Sequence, residues 1–276
     1  VGRTHRLAHG IVAREIAQKK IKPVREKHDA EDTFAWEIVE EFRKADLCGV
    51  YFHTNYGGLG GGVFELALVV EELSKVCGGI ALSLAATALG TFPIMLFGTP
   101  EQKKRWLPDL ASGKRLGAFT ITEPEAGSDA TATRCTAKKD GNDYILNGVK
   151  NFATNGEVAE IYSTFASTNP SRGARGITCF VIEKGTKGFS FGKKEHKMGI
   201  RSSATYELVF DNCRIPAANM LGKEGQGLFV AQATLDISRP GVASQALGIG
   251  TGALEEALNY AKVRKQFGQT VLSFQS

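Results

Sequence analysis

The spacing of hydrophobic residues changes twice along this chain of 276 residues. Before about Leu116, apolar residues recur every three to four positions, as in amphipathic helices. From there to about Pro216 polar and apolar residues alternate in short runs, with Asp140-Gly141 and Asn147-Gly148 as tight-turn dipeptides between them. After Gly227 the helical spacing returns. Short strands with little helix between them favour an antiparallel sheet or barrel over a parallel sheet with crossover helices.

The predicted fold is therefore α+β, in three parts. An N-terminal all-α domain is expected over residues 1–115, and a middle antiparallel β-domain, resembling a barrel or sandwich, over residues 116–218. Residues 219–276 are expected to begin a C-terminal helical bundle. A long helix with one broad apolar face needs partners to bury that face. We therefore expect the last domain to be incomplete and the chain to be truncated at its C-terminus.

The first part contains one segment of membrane-spanning length. Residues 78–97 carry no charge, but they include Gly90 and Pro93 and have no basic or aromatic anchors at their ends. This composition favours a buried core helix followed by a segment broken at the proline. Thr99 and Gln102 then form a capping box, with Pro100 in the first turn of another helix.

Composition and charge exclude several classes of function. A net charge of +5 is mild, and the basic residues are dispersed, which disfavours a nucleic-acid-binding surface. The five cysteines have no C-x-x-C spacing and no histidine close to them, which argues against a zinc site and for reduced thiols. The polar N-terminus lacks a signal-peptide core. A soluble protein without a metal, in a reducing compartment, is expected.

The segment from Gly117 to Ala130 contains the most informative residues. A strand is expected to end at Thr122, and Pro124 then imposes an extended turn. Gly127 permits close backbone approach next to the small hydroxyl of Ser128. Backbone amides in such a turn suit a flat heterocycle or a phosphate. An ordinary transition from strand to loop would explain the same residues.

Three segments resemble the acyl-CoA dehydrogenase family. Phe119–Asp129, with the sequence FTITEPEAGSD, is similar to the family's first signature. Lys150–Gly156, KNFATNG, resembles the segment along the flavin edge, and Arg264–Gly268, RKQFG, resembles the Arg-Lys-x-Phe-Gly motif. The resemblance covers nearly the whole chain. It implies FAD-dependent dehydrogenation of an acyl-CoA thioester to a trans-2-enoyl-CoA, with electrons passed to an electron-transferring flavoprotein.

The resemblance also implies which residues bind FAD. Seven residues would line or stack on the flavin of the same subunit: Phe119, Ile121, Thr122, Gly127, Ser128, Phe152 and Thr154. Of these, Thr122 would bond to the pyrimidine side of the ring and Thr154 would bond near its reactive nitrogen. Others would reach the FAD of a neighbouring subunit, which implies a homo-oligomer, a dimer or a tetramer: Arg264, Gln266, Phe267 and Gln275. In isolation, Phe152 also fits a sheet core, and Arg264 fits a partner of its helix dipole.

The substrate-binding residues implied by the resemblance are Ser128, Asp236 and Arg239. Ser128 would lie where the flavin and the pantetheine meet, and Asp236 and Arg239 would contact the adenine and ribose end of CoA. Taken alone, Asp236 and Arg239 are also explained as a surface pair three residues apart on a helix.

No residue of the chain is expected to be the catalytic base. Removing an α-proton requires a buried carboxylate of raised basicity within hydrogen-bond reach of Cα. In most of the family this glutamate lies far into the C-terminal bundle, which places it beyond Ser276. In a minority it directly precedes the arginine matched here by Arg239, a position occupied by Ser238. We therefore expect residues 1–276 alone to be inactive.

Gly248–Ala253 also fits the dinucleotide-binding pattern G-x-G-x-x-A. That fingerprint requires a preceding strand, whereas residues 241–247 continue a helical pattern. Small residues that let two helices pack closely are the favoured interpretation.

Acyl-chain length and shape cannot be read from the sequence. The expected pocket floor, Leu84–Phe97, is apolar, and this disfavours a dicarboxylyl substrate because a buried unpaired carboxylate is costly. Two alternatives stay open, an acyl-CoA oxidase that uses oxygen and a catalytically silent flavin- or CoA-binding homologue. The expected compartment is the bacterial cytoplasm or the mitochondrial matrix.

Overall fold

The structure, a computed structural model, describes residues 3–274, with side chains described from residue 8. Its elements follow the order helices, sheet, helix. The helices are α1 Arg3–Ile16, α2 Arg25–Glu31, α3 Trp36–Lys44, α4 Val63–Ser74, α5 Gly78–Phe97, α6 Pro100–Ala111 and α7 Gly227–Val263. The strands are β1 Gly117–Thr120, β2 Thr136–Asp140, β3 Asp143–Thr154, β4 Ile161–Ser167, β5 Ile177–Glu183, β6 Phe189–Lys194, β7 Thr205–Pro216, β8 Met220–Leu221, β9 Lys265–Gln266 and β10 Gln269–Thr270.

Helix α5 is the central helix of the N-terminal part. Of its 20 residues, 14 are buried, and the uncharged stretch is long and apolar enough to cross a membrane, with 67% of the most apolar window buried inside the protein. The helix therefore belongs to the core. The predicted break at Pro93 is wrong, since Pro93 lies inside α5. A proline inside a helix costs about 3 kcal/mol, and packing against the sheet offsets that cost.

The capping box at the start of α6 is confirmed. The backbone N–H of Thr99 donates to Gln102 Oε1 at 2.8 Å, and the backbone N–H of Gln102 donates to Thr99 Oγ1 at 3.3 Å. Gln102 Nε2 also donates to the carbonyls of Ala218 and Met220 at 2.7 and 2.8 Å. The same side chain therefore starts the helix and ties it to the end of the sheet.

The β-region is one eight-stranded sheet in the order β6-β7-β3-β2-β4-β5-β8, with β1 paired to β4. Its ladders are antiparallel, as predicted, except that β1 lies parallel to β4 and a single pair between β2 and β4 is also parallel. Strand β1 follows α6 directly and enters the sheet beside β4, because Gly117 and Gly90 allow the strand to approach the α5 backbone closely.

One of the two predicted turn dipeptides is correct. Asp140-Gly141 turns between β2 and β3, whereas Asn147-Gly148 lies inside β3 at a register shift against β7. Gly148 has φ +142°, and a Cβ there would lie 2.7 Å from Cys135 Cα. The glycine is therefore needed for a bulge and a close approach rather than for a hairpin. Strand β6, which the sequence analysis did not identify, extends the sheet beyond β7.

Helix α7 runs along α4, where glycines form the contact. A Cβ at Gly248 would lie 2.4 Å from the carbonyl oxygen of Glu71, and one at Gly252 would lie 2.0 Å from that of Lys75. The interpretation of Gly248–Ala253 as a helix-packing segment is confirmed. Away from α4, the helix exposes the apolar residues Val242, Leu247, Leu254, Leu258 and Tyr260.

Candidate functional site

Two of the segments that resemble the family, Phe119–Asp129 and Lys150–Gly156, lie side by side at the end of β1. The backbone N–H of Asn151 donates to the carbonyl of Thr122 at 2.8 Å, which extends the contact between β1 and β3 past the end of β1. Glu123 and Ala126 then exchange two backbone hydrogen bonds, of 3.0 and 3.2 Å, around Pro124. These bonds fix the turn that the sequence predicted and place Ile121 and Thr122 beside residues 151–154.

Phe152 adopts an unusual backbone conformation. Its φ is +57°, a value that non-glycine residues rarely adopt, and it lies where the β3–β7 register shifts between Lys150 and Ala153. As a result its side chain is 59% exposed rather than part of the sheet core. The bulge presents the Phe152 ring next to Thr154.

A cavity of about 220 Å³ lies between this wall and two helices. Five of the predicted flavin-binding residues line it together with residues of α5 and α7: Phe119, Ile121, Thr122, Phe152 and Thr154, with Ala86, Leu89, Asn151 and Leu235. The Asn151 Oδ1 atom is buried and has no hydrogen-bond partner. A buried amide oxygen without a partner is costly. Asn151, which lines the cavity, therefore carries a buried acceptor that the described residues leave unpaired.

A second cavity, of about 660 Å³, shares Phe152 and Thr154 with the first. Its far wall is the segment 195–203, which sequence analysis did not identify as part of a site. Ser203 is fully buried, and its Oγ also has no hydrogen-bond partner. Lys197 Nζ donates to the Ser203 carbonyl at 2.7 Å, and burial lowers the pKa of Lys197 below its ordinary value. Phe152 and Thr154 thus have ligand-accessible space on both sides.

Gly127 and Ser128 lie in the exposed part of the turn and do not line either cavity. A Cβ at Gly127 would have no atom within 4 Å. The protein itself therefore does not require glycine at this position. The open space beside Gly127 is available to a ligand that passes over the turn.

Asp236 and Arg239 border a pocket of about 340 Å³ along α7, with Phe229, Gln232, Ala233 and Leu235. Arg239 Nη1 lies 3.3 Å from Asp236 Oδ1, and both side chains are mostly exposed. Leu235 lines this pocket and also the 220 Å³ cavity, so the two spaces adjoin at one side chain. Ser238 Oγ donates to the carbonyl of Leu235 at 3.0 Å.

The structure does not bring the Arg264 segment to these cavities. Arg264 directly follows the last residue of α7, and Gln266 and Phe267 lie in the exposed hairpin formed by β9 and β10. Phe267 and Gly268 have φ of +51° and +80°, and the Phe267 side chain is 94% exposed. Gln275 lies outside the described residues.

Sequence analysis also missed the buried polar residues that support the site wall. Lys150 and Glu123 form an ion pair of 2.6 Å behind it, with side chains 0% and 4% exposed. Asn155 Nδ2 donates to the carbonyls of Ser83 and Gly117 at 3.0 and 3.2 Å, which ties the end of β3 to α5 and β1. A lysine at a core-facing position of an alternating strand was the only local signal for the pair.

Comparisons with known proteins agree with this arrangement. Sequence models of the N-terminal, middle and C-terminal domains of acyl-CoA dehydrogenase match residues 10–114, 118–213 and 225–276. An acyl-CoA dehydrogenase of Bacillus subtilis is 46% identical over 265 residues, which cover 96% of this chain and 70% of that protein.

Two solved structures have the same fold over almost the whole chain. Butyryl-CoA dehydrogenase from Megasphaera elsdenii gives a TM-score of 0.95 at 45% identity, covering 98% of this chain and 72% of that one. A chain in a structure of the electron-transferring flavoprotein of Acidaminococcus fermentans, studied for flavin-based electron bifurcation, gives 0.95 at 46% identity, covering 98% and 71%. This chain belongs to the acyl-CoA dehydrogenase family, whose members are FAD-dependent oxidoreductases that act on acyl-CoA.

Proposed function

We propose that the chain forms the flavin- and thioester-binding part of an enzyme that converts an acyl-CoA to the trans-2-enoyl-CoA. In this reaction the Cα proton passes to a general base, hydride leaves Cβ, and a double bond forms between the two carbons. Bound FAD supplies the hydride acceptor. One observation carries the proposal: Leu235 lines both the 220 Å³ cavity, which Thr122 and Phe152 also line, and the 340 Å³ pocket along α7. Together they offer space for a flat ring and for an elongated thioester.

The residues present fit FAD. Phe119, Ile121 and Phe152 provide apolar and aromatic surface for the flat face of the ring, and the Thr122 and Thr154 hydroxyls can bond to its polar edge. The unpaired Asn151 Oδ1 supports the same proposal, because isoalloxazine carries a ring N–H. Gly127 and Ser128 are assigned to the place where the cofactor and the pantetheine pass the turn, where a side chain would meet nothing of this protein.

Asp236 and Arg239 are assigned to the CoA end of the substrate, with Ser128 near its pantetheine. The mostly exposed Arg239 guanidinium is suited to the phosphate and ribose groups of CoA. Because Leu235 borders both spaces, a substrate held by Arg239 could extend its acyl end to the flavin wall. Ser128 lies in the exposed turn that follows Thr122 in the chain.

Arg264, Gln266, Phe267 and Gln275 are assigned to the FAD of a neighbouring subunit. The first three lie on or next to an exposed hairpin that does not line the cavities described above, and the Phe267 side chain is 94% exposed. Large exposed apolar side chains of this kind are common at interfaces. We therefore propose a homodimer or a homotetramer as the working enzyme.

We propose that the general base comes from outside residues 1–276. None of the residues that line the 220 Å³ cavity carries a carboxylate. Ser238, at the alternative family position, has no carboxylate and donates its hydroxyl hydrogen to the Leu235 carbonyl. Residues 1–276 by themselves are therefore expected to bind ligands but not to turn them over.

Short-chain acyl-CoA is the proposed substrate. Ala86 and Leu89, which belong to the predicted pocket floor, line the α5 side of the small 220 Å³ cavity, and no cationic residue lines it that could pair with a terminal carboxylate. The 45% identity to butyryl-CoA dehydrogenase supports the same chain length.

An electron-transferring flavoprotein is the proposed electron acceptor. The exposed ring of Phe152 borders the large 660 Å³ cavity, so the site has an open side at which a redox partner could approach. The similarity to a chain in an electron-transferring flavoprotein structure supports this choice. The five free cysteines fit a reducing compartment such as the bacterial cytoplasm or the mitochondrial matrix.

The test is steady-state turnover of the full-length, FAD-loaded protein on a panel of straight-chain, branched and dicarboxylyl acyl-CoAs. We expect butyryl-CoA to give the highest kcat/KM with a dye acceptor and to yield the trans-2-enoyl product. Rapid peroxide release without a dye would identify an oxidase. Binding of FAD and acyl-CoA without product would identify a silent homologue. Glutaryl-CoA as the best substrate would contradict the pocket argument.

A further inference from the structure

The wall of the flavin cavity is supported by a fully buried ion pair. Lys150 Nζ donates to Glu123 Oε1 at 2.6 Å, and the two side chains are 0% and 4% exposed. The Glu123 carboxylate also accepts from the backbone N–H of Arg134 at 2.6 Å and from that of Cys135 at 3.1 Å. Both carboxylate oxygens therefore have partners, which a buried charge requires.

Lys150 makes a second bond that reaches the wall itself. Its ammonium donates to the carbonyl oxygen of Ile121 at 3.0 Å. Ile121 and Thr122 line the cavity, whereas Lys150 does not, so the ammonium lies behind the wall. A trans peptide has its N–H antiparallel to its C=O. The Thr122 N–H of that peptide therefore points away from Lys150, towards the cavity side.

The Thr122 N–H has no hydrogen-bond acceptor within residues 3–274. Its own carbonyl, in contrast, is occupied by the N–H of Asn151 at 2.8 Å. An unpaired backbone donor beside a cavity is a position for a ligand acceptor. A charged donor on the carbonyl of a peptide polarises that peptide and strengthens its N–H as a donor.

We propose that Lys150 is a positioning residue which, held by Glu123, orients and polarises the Ile121–Thr122 peptide so that the Thr122 N–H becomes a strong donor to the flavin. Lys150 itself touches neither cofactor nor substrate. Its action rests on the proposed function, because the acceptor is an atom of bound FAD. Reduction adds negative charge to the flavin, so a strengthened donor stabilises reduced FAD more than oxidised FAD.

The experiment compares four forms of the full-length protein: the wild type, Lys150→Met, Lys150→Met/Glu123→Gln and Leu73→Ala. Methionine keeps an unbranched chain but removes the bond to Ile121. The double variant also removes the carboxylate charge that the single variant leaves buried without its cation. Leu73 is fully buried on α4 and lines none of the cavities described above, so Leu73→Ala controls for lost stability alone.

For each form, the dissociation constant of FAD from the apoprotein, the reduction potential of the bound FAD and the melting temperature are measured. Both Lys150 variants are expected to bind FAD about tenfold more weakly, which is about 1.4 kcal/mol. The potential of their bound FAD is expected to shift to more negative values. Leu73→Ala should lower the melting temperature without changing either flavin property.

The proposal is overturned if the folded double variant has the wild-type FAD affinity and reduction potential, or if Leu73→Ala shifts the potential equally. Failure of the proposed FAD binding looks different, because the wild type itself would then take up no FAD, and failure of the proposed reaction would show as FAD uptake without the enoyl product. A wild type that binds FAD beside a double variant with unchanged potential would reject the role of Lys150 alone.

Discussion

The backbone N–H of Asn151 donates a 2.8 Å hydrogen bond to the carbonyl of Thr122. This bond joins two segments that are about 30 residues apart in sequence and sets the residues that line the site on one continuous wall. Behind the wall, the buried pair of Glu123 and Lys150 makes the same connection through side chains. The site is therefore formed by the sheet, and α5 and α7 close it.

Replacing Phe152 by alanine is expected to weaken FAD binding. An aromatic contact contributes about 0.5–1.5 kcal/mol beyond area burial, so we expect a loss of roughly two- to tenfold in affinity. Because the ring is 59% exposed, the melting temperature should change little. Fluorescence titration of the apoprotein with FAD measures the effect. Trp36→Ala, which removes a 50% exposed ring on α3, is the control, and an equal loss of affinity in both variants would contradict the assignment.

Arg239→Met is expected to raise KM for acyl-CoA severalfold and to leave kcat unchanged. Removing a contact made equally in the ground state and the transition state has this kinetic signature. Arg43→Met removes a comparable pair, Arg43–Glu40 at 3.0 Å, from the surface of α3 and should leave both constants unchanged. A fall in kcat at constant KM would place Arg239 in a different role.

Gly252→Ala is expected to destabilise the protein by about 1–3 kcal/mol, as overpacking does. The new Cβ would lie 2.0 Å from the carbonyl oxygen of Lys75, where α4 and α7 meet. Gly250→Ala on the same helix has no atom within 4 Å of its Cβ and should stabilise by up to about 1 kcal/mol through helix propensity. Urea unfolding of both variants gives the comparison. Similar effects of the two alanines would show that helix packing does not explain the glycines.

Glu72→Gln is expected to make the free energy of unfolding depend less on pH in the acid range. Hydrogen bonds from Arg14, at 2.9 Å to each carboxylate oxygen, hold the pKa of Glu72 below its ordinary value. A carboxyl group whose pKa is lowered by folding stabilises the native state above the unfolded pKa and loses that contribution as pH falls through the folded pKa. The wild type should therefore lose stability more steeply than the variant below the ordinary glutamate pKa. The measurement is the urea midpoint of each protein as the pH is lowered. If the midpoints of the wild type and the variant fall in parallel, the ion pair with Arg14 does not contribute in this way.

Local sequence signals predicted the order of elements and five of the residues that line the 220 Å³ cavity. The capping box at Thr99, the return of helical spacing after Gly227 and the turn at Pro124 all depend on neighbouring residues, and all three appear in the structure. Five residues from the two segments Phe119–Asp129 and Lys150–Gly156 line one cavity, because the fold places these segments side by side.

The sequence was misleading where tertiary packing decides the outcome. Pro93 stays inside α5 because the helix is buried on most sides, and Gly148 serves a bulge against Cys135. Lys150 is buried because its partner lies 27 residues away, and no local pattern shows that pairing. The bulge at Phe152 likewise depends on how β3 and β7 pair.

Anaerobic titration of the full-length, FAD-loaded protein with butyryl-CoA tests the central claim most directly. If the cavity wall that contains Thr122 and Phe152 binds FAD with a thioester beside it, the visible flavin absorbance should bleach on addition of the substrate. A protein that takes up no FAD, or whose flavin keeps its full absorbance at saturating butyryl-CoA and every other acyl-CoA of the panel, would contradict the account.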